Sequence, residues 1–291
     1  MKLLLCGHGY LGQAISREFL NAGWDVTATS LSGDNGTISC DLGDAESVAT
    51  MASVSPDFIV HCAASGRGGP DAYRAVYVNG CRHLAATFPG IPLLFTSSTS
   101  VYAQTDGSVV TEESPAEPDR ETGHLLREAE EVVLSSEGIV TRLAGIYGPH
   151  RSIILKKFLT GEAIIEEDGR RTLNQIHRDD AARAILHLAT LSQSQISNLK
   201  SQIAPSDSHL SPLNSHLLFN LTDSAPLTQL ECYQSLAELF GKPLPPSGPR
   251  DLNRKRGWTH KRVSNERLRA TGWKPRFPSF LDAVAEVAPT V

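Results

Sequence analysis

The feature that most constrains this chain is six residues long. GHGYLG, residues 7–12, sets Gly7, Gly9 and Gly12 between the apolar run Leu3 to Cys6 and a segment where Leu11, Ala14, Ile15, Phe19 and Leu20 recur at helical spacing. A strand that passes into a helix through so short a turn needs a glycine for the turn itself. A second glycine lets a ligand approach the backbone, and a third lets the helix lie close on the strand. The helix start then offers unpaired N–H groups and a partial positive charge, which suit a phosphate. Strand, glycine turn and helix in that order point to an α/β fold that holds a dinucleotide by its pyrophosphate, with Tyr10 and Leu11 beside it.

The rest of the first half keeps the same rhythm. Strand-like runs are expected at 24–29, 38–40, 58–64, 93–98 and 139–143, with helices at 45–52, 72–87 and 120–135 between them. Short connections and fully apolar strands argue for a parallel sheet covered by helices on both faces. The expected fold class is therefore a Rossmann-type doubly wound α/β sheet with a smaller α+β C-terminal lobe. Residues 1–145 are read as the dinucleotide-binding domain, to which the chain returns at 172–191, and 146–291 as mostly the substrate lobe. Residues 192–215, rich in Ser, Gln and Asn and without periodicity, are expected to be a polar surface insertion.

Composition narrows the partners. With 40% hydrophobic and 20% charged residues the chain reads as globular, and no apolar run reaches membrane-spanning length. Five scattered cysteines without a C-x-x-C pair read as reduced thiols of a cytoplasmic protein. A net charge of -5 gives no reason to expect nucleic acid. The charge is uneven, however: between Arg250 and Arg276 there are ten Lys/Arg and two acids. Two readings stand for that stretch, a site for an anionic substrate with Arg254 and Arg256 as contacts, or a solvated basic face. Neither a metal motif, nor G-x-S-x-G, nor a Walker loop is present.

Further motifs follow the glycine turn: CDLGD at 40–44, HCAAS at 61–65, FTSSTSVYA at 95–103, RLAGIYGP at 142–149, NQIHRDDAARAI at 174–185 and RVSNERLRATGWKP at 262–275. In this order and spacing they resemble the extended short-chain dehydrogenases/reductases, the NAD-dependent epimerase/dehydratase family that includes nucleotide-sugar epimerases. The resemblance implies a nicotinamide dinucleotide, a nucleotide sugar or similar small carbonyl or alcohol as substrate, and a homodimer. It also implies that Asp41, followed by Leu42, accepts from the adenine amino group, and that Ala63, Ala64 and Ser65 line the cofactor cleft. After the second strand, VTATSLSG offers Ser30 and no acid before Asp34, which favours NADP over NAD.

The same resemblance exposes a departure. The family's catalytic pair is a Tyr and, four residues on, a Lys that lowers the pKa of the phenol. In ETGHLLREAEE the two positions hold Thr122 and Leu126, with Glu130 at the family's following acid. Ser98, four residues before Tyr102, stands where the family keeps a catalytic hydroxyl, or else caps the end of a strand. His124, Tyr147 and His177 are the candidate acid/base groups, with Arg127 and Tyr102 nearby; each also has a structural reading as a solvated, packed or hydrogen-bonding side chain. Two functions follow: an oxidoreductase or epimerase with an altered dyad, or a cofactor-binding sensor without turnover.

Overall fold

The computed structural model describes residues 1–66, 68–191, 195, 217–251 and 258–291. The expected insertion at 192–215 and the residues Arg254 and Arg256 lie outside them, apart from Gln195.

The first strand, β1 (Lys2–Cys6), is almost wholly buried. It runs through the glycine turn into α1 (Tyr10–Asn21), which turns Leu11, Ala14, Ile15 and Phe19 inward. Then follow β2 (Asp25–Ser30), β3 (Ile38–Ser39), α2 (Ala45–Ala49) and β4 (Phe58–His61). The next helical stretch begins as α3 (Pro70–Tyr73), widens into a π-helical Arg74–Asn79 and tightens again as α4 (Gly80–Thr87). β5 (Leu93–Ser98), a short β6 (Val109–Val110), α5 (Glu121–Ser135), β7 (Ile139–Leu143), β8 (Gly145–Tyr147), α6 (Ile153–Thr160), β9 (Ile165–Glu166), β10 (Gln175–His177) and α7 (Arg178–Ala189) complete the stretch up to residue 191. Beyond it come β11 (Leu218–Leu221) and α8 (Gln229–Phe240), the latter opened by a Thr228–Glu231 capping box.

Seven strands form one parallel sheet in the order β3-β2-β1-β4-β5-β7-β11. The order reverses direction at β1, so a crevice opens between the carboxyl ends of β1 and β4, where open α/β sheets place their ligands. The doubly wound class read from the sequence is the fold observed. Two details differ from the simple rhythm. β11 lies in the 146–291 stretch yet joins the main sheet, where it pairs with β7 in register Phe219 to Thr141. The helix expected at 72–87 carries the π-helical segment, which no periodicity in the sequence marks.

Packing forms two clusters. The larger covers both faces of the sheet, and Phe19, Phe95 and Phe219 are fully buried in it. The smaller gathers Tyr147, Leu155, Phe158, Leu236 and Phe280 under α6 and α8. Three parallel two-strand pairs tie the later chain together: β8 with β10, β9 with Ser247–Gly248, and β6 with Arg262–Val263. α7 is held to α1 by an Arg17–Asp179 ion pair of 3.0 Å. All five cysteines are free thiols, and among the described residues no helix is long and apolar enough to cross a membrane.

Candidate active site

The glycine turn is shaped by what lies next to it. Gly7 has φ +106°, and a Cβ there would run into the backbone of Ala63 at the end of β4. A Cβ on Gly12 would strike the carbonyl of Gly7, so this glycine sets how closely α1 approaches β1. Gly9 is the opposite case: a Cβ there meets nothing within 4 Å and would point into open space. Gly9 is also the N-cap of α1, and no side chain caps it. The first N–H groups of α1 are therefore left to a ligand. Residues that fit a pyrophosphate are thus present: an uncapped 12-residue helix and an unobstructed backbone in front of it.

Around this turn lies a cavity of about 240 Å³. Its lining includes Gly9, Tyr10, Leu11 and Gly12 of the turn, Ala63 and Ala64 after β4, and Ser98, Leu126, Ala144 and Arg151. Arg151 lies over the Tyr10 ring at 5.2 Å, and Arg178 over the same ring at 4.9 Å. The Tyr10 hydroxyl donates to the carbonyl of Pro149 at 2.9 Å. Arg178 is paired with Asp179 at 2.8 Å, whereas Arg151 has no carboxylate partner among the described residues.

A second cavity of about 440 Å³ adjoins the first, sharing Tyr73, Ser100 and Leu126. Thr122, Asp119, Arg120, Glu121 and Thr259 give it a hydroxyl-rich, mixed-charge lining. The N-caps of α3 and α5, Gly69 and Arg120, open onto it, and neither makes a side-chain capping bond.

Beneath the crevice the polar groups are already committed. Glu130 is completely buried and meets Arg142 twice, at 3.0 and 2.7 Å, as well as Arg127 and the Ser97 hydroxyl. Burial pushes the Glu130 carboxyl up, but the guanidinium groups of Arg142 and Arg127 outweigh it and hold it below the usual glutamate value. Arg142 also lies over the Tyr102 ring at 4.8 Å, and the Tyr102 hydroxyl donates to Asn220 at 2.9 Å. Lys261 is 3% exposed and donates to the Tyr102 carbonyl at 2.6 Å; burial pulls its pKa down to about 8.

The sequence-predicted residues separate into three groups. Gly9, Tyr10, Leu11, Gly12, Ala63, Ala64 and Ser98 come together around the first cavity, with Gly7 bracing the turn. The Ser98 hydroxyl accepts from the backbone of Ser100 at 3.2 Å, so it both caps a turn and faces the cavity. Ser65 donates its backbone N–H to the Tyr77 hydroxyl at 3.1 Å. Ser30 shares a hydrogen bond of 2.7 Å with Thr37, Asp41 accepts from Gly43 at 2.8 Å, and Leu42 is buried beside Gly80.

The candidate acid/base groups are scattered. His124 is exposed on α5. Tyr147 is 1% exposed in the smaller core, its ring against Phe280 and His177. Tyr102 is a buried strut. His177 caps α7, its Nδ1 accepting from Asp179 at 3.3 Å, and burial brings its pKa to about 4. His177, Asp179 and Glu286 lie close enough to surround a cation, but Arg17, Arg178 and Arg276 already pair with those carboxylates.

The model of the RmlD substrate-binding domain matches residues 1–167, more than half of the chain. The chain belongs to this family. Its Rossmann-type fold is that of the epimerase/dehydratase proteins of the short-chain dehydrogenase/reductase type among its structural neighbours. Escherichia coli protein YeeZ is 28% identical over 208 residues, 63% of this chain and 71% of that protein. A Methylobacillus flagellatus protein assigned as an NAD-dependent epimerase/dehydratase is 25% identical, with TM-score 0.74 over 99% of this chain and 97% of its own. Thermus thermophilus UDP-glucose 4-epimerase, solved with NAD, shares the fold at 18% identity, with TM-score 0.76 over 100% and 98% of the two chains.

Within this family frame, sequence reasoning missed Tyr73, Ser100 and Arg151. Tyr73 and Tyr77 stand four apart in PDAYRAVYVNG and meet edge to face at 5.0 Å. That i,i+4 aromatic pair was the available signal. Nothing in the local sequence reports that Arg151, after the YGP turn, swings back over Tyr10.

Proposed function

We propose that this chain is an NAD(P)-dependent oxidoreductase or epimerase that acts on a nucleotide sugar or a similar small carbonyl or alcohol, without the family's Tyr/Lys pair. The observation that carries this reading is the uncapped start of α1 behind Gly9, facing a cavity at the reversal point of the sheet. When bound there, a nicotinamide dinucleotide supplies hydride chemistry. The chain's own part is to hold it. The α1 amides and the Arg151 guanidinium would hold the pyrophosphate, Ala63 and Ala64 would line the cofactor cleft, and Asp41 would accept from the adenine amino group. Ser30, with no acid beside it before Asp34, favours NADP. The second cavity, with its hydroxyl-rich, mixed-charge lining, suits an oxygen-rich substrate. The Ser98 hydroxyl is free to donate to a substrate oxygen while its lone pair holds Ser100. The division of labour is then residues 1–145 and 172–191 for the dinucleotide, and most of 146–291 for the substrate.

A second reading, a dinucleotide sensor without turnover, is favoured by Thr122 and Leu126 at the positions of the missing pair. One experiment separates the two. Nicotinamide fluorescence is followed as NADPH or NADH is added, and then as a panel of nucleotide sugars and their keto forms is supplied. Binding followed by oxidation of the dinucleotide supports the enzyme. Binding without oxidation across the panel supports the sensor, and no binding overturns both.

A further inference from the structure

We propose that Tyr73 is the proton-exchanging group of this site and takes over the task of the phenol absent at Thr122. The inference rests on the enzyme reading above and names the residue that reading lacks. Its argument is one of overlap. A reacting carbon must be reached from the dinucleotide cavity and from the substrate cavity together, so it sits where the two meet. The residues that line both are Tyr73, Ser100 and Leu126. Leu126 has no proton to exchange, and an aliphatic hydroxyl such as Ser100 is too weak an acid near neutral pH. Only Tyr73 carries a group suited to the task.

Its surroundings agree. Tyr73 ends α3 where the helix opens into the π-helical Arg74–Asn79, a departure that re-aims side chains and recurs at functional sites. Beneath that segment, the buried His61 donates from Nε2 to the Val76 carbonyl at 2.9 Å in its neutral form, bracing the widened turn. The Tyr77 ring supports Tyr73 edge-on, while the Tyr77 hydroxyl is engaged with Ser65. In the reducing direction the Tyr73 O–H bond breaks and its proton passes to the substrate oxygen. At the same time the carbonyl carbon would receive a hydride, one hydrogen with its two electrons, which a bound reduced dinucleotide would supply. The phenolate then regains a proton from water, and the oxidising direction reverses each transfer.

The test needs no known substrate. Tyrosinate absorbance is titrated against pH for the whole chain, with and without saturating oxidised NADP. Burial raises the pKa of Tyr10, Tyr102, Tyr147 and Tyr233, and the variants Tyr73→Phe and Tyr77→Phe assign the remaining steps by their loss. A cationic nicotinamide beside Tyr73 stabilises its phenolate, so one tyrosine should titrate lower by about one unit or more when NADP is bound. Tyr73→Phe should lose that step while keeping NADPH fluorescence binding. The step surviving in Tyr73→Phe and vanishing in Tyr77→Phe overturns the assignment, as does its absence from wild-type protein that binds NADP. If wild-type protein binds neither NADP nor NADPH, the functional reading itself falls, and the fluorescence arm alone shows it.

Discussion

The two walls of the crevice are built by opposite means. The wall made by β1, the glycine turn, α1 and the end of β4 comes from the first 64 residues and works through backbone. Its decisive features are the positive φ of Gly7, the carbonyl of Gly7 against Gly12, and free amides at an uncapped helix. The facing wall of β5, α5 and β7 works through buried charge. Ser97, Glu130 and Arg142 form an ionic knot that continues through Tyr102 to Asn220 and Lys261, more than a hundred residues away. A backbone wall can be specified locally, because each glycine answers one steric question. A charge-built wall exists only once its partners have been brought together and water has been excluded. The first wall should therefore fail in binding with its fold intact, and the second should fail in stability.

The hardest break of this contrast is Glu130→Ala. It leaves Arg142, 2% exposed, buried without its carboxylate, and should cost about 3–5 kcal/mol in urea unfolding. A loss under about 1 kcal/mol would mean that the knot adds nothing beyond packing. On the other wall, Gly9→Val should lower NADPH affinity by at least about 100-fold, about 2.7 kcal/mol, while leaving the unfolding midpoint nearly unchanged. Calorimetry showing wild-type affinity would remove the pyrophosphate from this turn.

Acid should report two buried histidines, His61 at the end of β4 and His177 at the start of α7. Burial lowers the pKa of both His61 and His177 from an ordinary 6.5 to about 4, with Asp179 partly opposing the effect at His177. Both are neutral in the folded chain, and the unfolded chain takes up their protons first. Their contribution is complete above about 6.5 and is lost as the pH falls towards about 4. Each histidine gives a slope of up to about 1.4 kcal/mol per pH unit in that window. His61→Gln should remove one histidine's share of the slope, leaving that of His177; an unchanged slope would show that folding does not shift the His61 pKa. Glu130 acts lower on the scale: its stabilisation is lost as the pH falls through a carboxyl pKa held below the usual value.

The smallest expected effect sharpens the comparison. Among the described residues, Arg151 is the one charged side chain lining the cavity at the glycine turn, and it has no carboxylate partner there. Arg151→Ala should weaken NADPH binding about tenfold at low salt, about 1.4 kcal/mol, and flatten its salt dependence. Equal affinities at low salt would leave the pyrophosphate to backbone alone.

By itself the sequence determined the doubly wound sheet, the glycine turn and the wall of the crevice built on it. Strand runs, helical spacing and glycine sterics are properties of neighbouring residues, and β5 and β7 were legible to the residue for that reason. Some charged positions were legible only as residue types. Glu130 was visible as an acid on α5, but its burial between Arg142 and Ser97 was not, because that depends on α5 lying over β5 and β7. The basic run from Arg250 to Arg276 reads as one charged patch in sequence. In the fold its described members are dispersed: Arg250 pairs with Glu167, Arg276 with Glu286 and Arg267 with Glu113, and Lys261 is buried. Tertiary structure alone decided which polar groups meet at the crevice. It turned Tyr102 and Tyr147 into core struts and brought Tyr73 to the junction of two cavities, because a side chain's chemistry follows from the segments packed against it, and those come from elsewhere in the chain.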